Sequence, residues 1–535
     1  MTNRVLRLWL AILYGGGVLT HLIQPLRGML DPAYRGLIPY NGPEEAMYLL
    51  RTQEALLHPW NGIVSNGVWS GIGAPPGMQM AGGEHLIGLF LGWTGIAAPY
   101  VVLALTALIA PLILVLTSLL ARRWGLPPVW ALASGVLVFW LVAFGHRFFH
   151  PGFSLPLVLA ALIALSTWWD RPGRHSSVLA GALLGAGVHL YFWSWTFLWV
   201  TAGLLALACI ADRRLPQRPG LLRSLPLLGG VTVLVALPAI AQMVEARAHP
   251  AYTETAVRVG LVASRGLESP VRSLLTALFA LALLWSMRHA WRRYGVLLAS
   301  SVALAIVYSQ QLIHGLVISF SSHYYQYVCV IALLGAFVAL RVRPRAVSTW
   351  VAVGIAGLFI AGGVHDYGKR IDHFMRPETS HQHLASALDA LRDGTVDTVL
   401  ADRWTADLVA SYTEDDVVFT EYTELLLIAD DDYRQRYCLS EMYAPRPLPV
   451  DDLVVFAEAR LRVVRGQEAQ EEYDASVAAV RDVCERIRRD PKDALQRVGV
   501  TKLLWDEKRR PAWKPDGNVF VKVSQGDGWS LWGIR

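Results

Sequence analysis

Charge is scarce in this chain. Asp, Glu, Lys and Arg make up 17% of its 535 residues and apolar residues 54%, against roughly 25% charge in an average soluble domain. A chain soluble over its whole length is excluded, and most of it belongs in lipid. Cysteine is limited to four: Cys209 and Cys329 lie in apolar runs, Cys438 and Cys484 in the polar C-terminal part. Outside the cytoplasm that second pair is permitted to bond, although sequence separation says nothing about the approach of the Cα atoms. No CxxC or HExxH spacing occurs, nor a P-loop or a GxGxxG at a strand–helix junction, so the common zinc, ATP and dinucleotide motifs are missing. There is no internal repeat of apolar segments, and ionisable residues within them are few, His189 and His314 being the main ones. Coupled transporters commonly show both features.

What is present is a series of apolar runs, at about residues 5–24, 98–121, 127–145, 152–169, 176–193, 195–211, 222–243, 271–287, 294–319, 324–340 and 347–364. Each is long enough to cross a ~30 Å hydrocarbon core as a helix, which gives about eleven spans. The stretch 188–195 makes two of them nearly continuous. Arg4 and Arg7, Arg122 and Arg123, Arg171 and Arg174, Arg213, Arg214, Arg218 and Arg223, Arg288, Arg292 and Arg293, and Arg341, Arg343 and Arg345 fall in every second loop. Such residues mark short cytoplasmic loops, so the N-terminus is expected to be cytoplasmic and, after an odd number of spans, the C-terminus extracytoplasmic. The first run has no small-residue cleavage site after it and reads as an uncleaved helix.

Composition changes near Val364. The first 365 residues carry 10 acids and 24 bases, the remainder 32 acids and 24 bases. A membrane domain, 1–364, is therefore expected to precede a soluble domain, 365–535. The basic balance sits in the loops and reports topology, so the expected partner is a lipid bilayer and not nucleic acid. The C-terminal part alternates helix-like and strand-like segments: a helix at 383–391, a strand at 395–401, a helix near 404–412, strands at 416–419 and 453–456, a helix near 474–489, a strand at 501–505, and a hairpin of 518–524 with 529–534. That order predicts an α/β, Rossmann-like sandwich. The run Asp430-Asp431-Asp432 lacks the Gly and spaced oxygens of a calcium loop and reads as a solvated turn.

Acids that could do chemistry outside the cytoplasm are few: Asp31, Glu44, Glu45, Glu54, Glu84, Glu245, Glu254 and Glu268. Glu44 and Glu45 open a helix-like segment whose apolar residues, Met47, Leu50 and Leu57 with Leu49 and Leu56 beside them, suit a helix lying on the membrane surface. Helix-start chemistry alone can account for Glu44, with Asn41 as cap, Pro43 in the first turn and acids favoured by the helix dipole. The segment 60–77, with Trp60 and Trp69, is Gly-rich and irregular and reads as a shaped loop whose Trp side chains can stack on a sugar ring. Glu84 and His85 then open a stretch too short to span, read as re-entrant or interfacial. Tyr191, Trp193, Trp195 and Trp199 suit either a lipid-tail groove or an interfacial belt.

This order of one span, a long external loop (25–97) opening with an acidic pair, many further spans and an α/β tail resembles the GT-C glycosyltransferases, which include oligosaccharyltransferases, protein mannosyltransferases and lipid A aminoarabinose transferases. In that superfamily an Asp/Glu motif in the first external loop is the catalytic signature, and here Glu44 and Glu45 match it. The resemblance implies a multi-pass enzyme of the plasma (inner) membrane. It would transfer a sugar from a polyprenyl-phosphate donor to a glycan, lipid or protein acceptor, usually with inversion. A carboxylate would deprotonate or orient the acceptor hydroxyl and cations would stabilise the departing phosphate. Candidate cations are His146, Arg147, His150, Arg258, Arg265 and His323, Arg being well suited to phosphate through its planar fork; Trp60, Trp69 and Glu84 are candidates for sugar or acceptor contacts. Glu45 is slightly preferred as the carboxylate, since capping accounts for Glu44. Oligosaccharyltransferases carry a second acidic motif in the loop between the third and fourth spans, and here that loop has no Asp or Glu. The departure favours a metal-independent site, with a divalent cation held by a glutamate, His146 and His150 as the alternative. Two other readings stay open: a polysaccharide polymerase or ligase relying on Arg258 and Arg265, and a lipid or sugar transporter of the flippase kind.

Overall fold

The structure is a computed structural model and describes residues 3–38, 43–58, 82–143, 152–259, 261–263, 265–267, 269–318, 321–374, 379–444 and 467–535. A long apolar helix, α1 (Asn3–Met29), leads to two helices too short to span, α2 (Pro43–Leu57) and α3 (Gly82–Leu91). Seven helical stretches among the described residues are long and apolar enough to cross a membrane: Arg4–Ile23, Ala98–Arg123, Phe192–Ala211, Arg218–Ala248, Pro270–Met287, Tyr325–Val342 and Val347–His365. Pro128–Val142, Ser154–Asp170 and Gly295–Tyr308 are shorter apolar helices, and Arg174–Leu190 has 17 residues. Every apolar run of the sequence thus contains helix, but length and composition support seven spans where eleven were expected. Run 294–319 shows why. Its helix ends at Tyr308, and the rest of its length goes into a short turn of helix, Gln311–His314, and a strand, β2 (Leu316–Ile318), which pairs antiparallel with β1 (Leu261–Ala263).

Contacts between turns place the arginine-bearing loops together. Arg123 pairs with Asp170 at 2.9 Å and Arg292 with Asp212 at 3.2 Å. The Trp169 indole N–H donates to the Arg292 carbonyl at 2.8 Å. The nearly continuous stretch 188–195 resolves into two helices broken at Tyr191, whose backbone is extended (φ −164°, ψ 129°).

After the last apolar helix, the C-terminal segment builds a five-stranded sheet from β3 (Thr398–Leu400), β4 (Asp416–Val417), β5 (Lys502–Asp506), β6 (Phe520–Gly526) and β7 (Trp529–Ile534), in the order β4-β3-β5-β7-β6. β3 runs parallel to β4 and β5, whereas β7 is antiparallel to β5 and β6. The sheet is therefore mixed, and the fully parallel order of a Rossmann-like domain is not reached. The final hairpin lies where the sequence placed it. Asp527-Gly528 supplies its two-residue turn, with Gly528 at φ 83°, a value that suits glycine and the twist of a hairpin. The strand expected at 453–456 lies outside the described residues. Cys438 and Cys484 are bonded, with Cα atoms 4.8 Å apart. Asp430, Asp431 and Asp432 are not a solvated turn. They form the first turn of the helix Asp430–Ser440, where the dipole favours acids, and they pair with Arg258, Arg434 and Arg436.

Packing ignores the composition boundary near Val364. One apolar cluster joins Leu37, Tyr48, Leu49, Leu50, Leu56, Ile87 and Val101 to Leu384, Leu388, Val399, Leu408, Val417 and Leu503. The segments preceding and forming α2 are thus built into the same core as the C-terminal sheet.

Candidate functional site

α2 begins with Pro43, the first helical position, where a missing N–H costs nothing. Glu44 and Glu45 follow in its first turn. The expected cap Asn41 lies outside the described residues, as do the side chains of Glu44 and Glu45. From Tyr48 to Ala55, every residue except the half-buried Glu54 is buried, including Arg51, Thr52 and Gln53. A surface helix with one apolar face was expected. Its polar face is instead closed by partners: Arg51 pairs with Glu84 of α3 at 2.8 Å, both side chains under 5% exposed. The Gln53 side-chain oxygen accepts from the Ala98 N–H at 2.9 Å, and the Thr52 hydroxyl donates to the Tyr48 carbonyl at 2.8 Å. Glu54 faces the C-terminal segment. Burial, with Asp416 nearby as the second cause, pushes its carboxyl up to about 8.

α3 lies tightly against α2. A Cβ on Gly88 would come 2.0 Å from the Ala55 carbonyl oxygen, so only glycine allows this approach. At the start of α3, Gly82 sits against His189, where an added Cβ would lie 2.7 Å from the His189 Cβ. The His189 ring bonds the Val235 carbonyl at 2.7 Å, a helix-to-helix link. Glu84, expected to contact sugar or acceptor, is the ion partner of Arg51. Burial pushes its carboxyl above the ordinary range and the Arg51 guanidinium opposes that.

The helix break at Tyr191 gathers aromatic groups beside this start of α3. The His323 ring stacks on Tyr191, centroids 5.9 Å apart, and lies 4.6 Å from the Trp193 ring; the Tyr191 hydroxyl and His323 Nδ1 hydrogen-bond. Trp195 and Trp199 continue the cluster edge to face at 5.4 Å. The Ser194 hydroxyl meets the Tyr327 hydroxyl at 2.7 Å and the Thr196 hydroxyl meets that of Tyr324 at 2.8 Å.

The other expected cations separate. The Arg258 guanidinium donates to the Ile428 carbonyl at 2.7 Å, pairs with Asp430 at 3.1 Å and lies over the Tyr433 ring, all in the C-terminal segment. Arg265 is exposed, and an added Cβ on Gly315 would lie 3.8 Å from its Nε. His146, Arg147, His150, Trp60 and Trp69 lie outside the described residues. Among the described residues no group of three or more His, Cys, Asp or Glu could hold a metal ion. The structure thus brings Glu84 to the helix that carries the acidic pair, puts His323 at the Tyr191 break, and commits Arg258 elsewhere. Sequence reading missed the Arg51–Glu84 pair. The one signal available was scarcity, because Arg51 is the sole basic residue of α2, but nothing local named its partner.

No family model and no curated protein matches this chain. Its structure is similar to the crystal structure of the oligosaccharyltransferase of Archaeoglobus fulgidus in its apo form, with a TM-score of 0.53 at 10% identity, covering 94% of this chain and 70% of that one. At that identity the likeness is one of fold.

Proposed function

We propose that this chain is a membrane glycosyltransferase. In this reading it transfers a sugar, with inversion, from a polyprenyl-phosphate donor to a glycan, lipid or protein acceptor at the outer face of the plasma membrane. Glu45 or Glu44 is the carboxylate that deprotonates or orients the acceptor hydroxyl. The observation that carries the reading is α2 itself: a helix opening with two adjacent acids and then buried on all sides from Tyr48 to Ala55, apart from the half-buried Glu54, in a fold similar to that of an oligosaccharyltransferase. A helix start on a membrane surface has no need of such encasement, whereas a reacting carboxylate must be held to within a fraction of an ångström.

Both acids lie in the first turn of α2, and both stay candidates. His323, stacked beside the Tyr191 break, and the exposed Arg265 are the described cations that suit a departing phosphate; His146, Arg147 and His150 are proposed with them. Such cations would serve in place of a divalent metal. Trp60 and Trp69 are proposed to meet the sugar, and Glu84 to hold α3 through Arg51. The polymerase or ligase reading loses one of its two arginines, because Arg258 is engaged by Asp430.

The test is mass spectrometry of envelope glycans and lipid-linked sugars in a deletion strain, complemented by wild type or by the double variant Glu44→Gln/Glu45→Gln at equal membrane abundance. A sugar restored by wild type but not by the variant, with its lipid-linked donor accumulating, supports the assignment. Full restoration by the double variant and both single variants removes it.

A further inference from the structure

Residues 35–38 form the last described stretch before the acidic pair, and among the described residues no strand pairs with their backbone. Two side chains from the far end of the chain hold it instead. Gln382, 3% exposed, accepts through its amide oxygen from the N–H groups of Arg35 at 2.8 Å and Leu37 at 3.3 Å, and its amide nitrogen donates to the Leu37 carbonyl at 2.6 Å. The Tyr412 hydroxyl, also buried, accepts from the Ile38 N–H at 2.7 Å. Between these points Gly36 takes φ 104°, and its carbonyl accepts from the Tyr100 hydroxyl. Three amides and two carbonyls in four residues are met, so this stretch has one geometry. Leu37 and Ile38 are buried, and leaving their backbone groups unmet would be costly.

We propose that Gln382 and Tyr412 are positioning residues for the acidic pair, and so that the C-terminal segment is a working part of the site. The proposal rests on the reading of Glu44 and Glu45 given above. Five residues separate Ile38 from Glu44. Residues 35–38 are pinned ahead of α2 and the body of α2 is buried from Tyr48 to Gln53 and at Ala55, so the chain is held on both sides of the acidic pair. The helix Arg403–Tyr412, which ends in the clamping tyrosine, also packs along α2. The C-terminal segment therefore contacts both the stretch ahead of α2 and its body. A bracing role for the whole segment would be served by contacts anywhere along these elements. The Gln382 and Tyr412 bonds fall on the stretch that runs into the two carboxylates.

The experiment compares Gln382→Ala and Tyr412→Phe with wild type in the full-length protein, using site-resolved amide hydrogen exchange and the complementation assay described above. Exchange is expected to quicken at Arg35 and Leu37 in the first variant and at Ile38 in the second, with the sheet and the spans unchanged, because only the local opening energy falls. Transfer is expected to drop by about tenfold to a hundredfold, as a misplaced reacting group does. Faster exchange at 35–38 with transfer retained overturns the proposal and leaves the carboxylate reading intact. Faster exchange throughout the C-terminal sheet overturns it as well, since the two residues would then be structural. The Glu44→Gln/Glu45→Gln variant in the same strain reports on the carboxylates alone, so failure of that reading is seen separately.

Discussion

Glu54 carries the sharpest residue-level consequence. Its carboxyl lies between α2 and the C-terminal segment, raised from 4.5 to about 8 by burial and by Asp416. The folded form therefore holds a proton that the unfolded chain gives up near pH 4.5, and stability falls as pH rises from there through about 8, then levels off. Glu54→Gln cannot ionise. Thermal unfolding of the purified protein should show the variant melting like wild type at pH 5 and higher than wild type at pH 9; parallel pH profiles would remove the assignment. The Arg51–Glu84 pair makes the opposite kind of demand, because both charges are out of water. Removing either partner breaks a buried ion pair, so Arg51→Ala or Glu84→Ala should lower stability by about 3–5 kcal/mol. Arg51→Met combined with Glu84→Leu should recover most of it, because well-packed apolar replacements of a buried pair are often neutral. A double variant as unstable as the singles would show that the pair does more than fill its site.

At the level of elements, the local patterns were legible. The hairpin of 518–524 with 529–534 is β6 and β7, its turn given away by Asp527-Gly528; the helix near 404–412 is Arg403–Tyr412, and the acidic pair does open a helix. What could not be read was which elements close on which. α2 shows an amphipathic pattern, yet its polar residues are buried because their partners come from Glu84 and Ala98. Periodicity reports one face of one helix and carries no information about a partner dozens of residues away. The same limit hid Gln382 and Tyr412, which act across more than three hundred residues. The Cys438–Cys484 bond was only a permitted pairing, and the structure supplies the approach that permits it, tying the helix Asp430–Ser440 to the helix Gln467–Arg489. Cys438→Ser should destabilise the C-terminal sheet by about 2–4 kcal/mol. Reductant should bring wild type to the same level in a denaturant titration; an unchanged midpoint in both would mean that packing alone holds the two helices.

At the scale of the whole molecule, composition and packing divide the chain differently. Composition separates a basic membrane part from an acidic C-terminal part, but the apolar cluster that includes α2 runs through both. Three separate segments are fastened to the C-terminal part: residues 35–38 through Gln382 and Tyr412, α2 through its packing on Arg403–Tyr412, and the helix Tyr252–Arg258 through Arg258 and Glu254. A transporter of lipid-linked sugars must let its halves move against one another, whereas a transferase benefits from this fastening, because the reacting carboxylate stays in register while substrates come and go. The most direct measurement follows from that contrast. Purified protein in proteoliposomes would be given the lipid extract of a deletion strain together with its envelope acceptors, and the products weighed by mass spectrometry. The account predicts an acceptor heavier by a sugar and a released lipid phosphate with wild type, and neither with Glu44→Gln/Glu45→Gln. Sugar that crosses the bilayer still attached to its lipid, with no heavier acceptor, would contradict it.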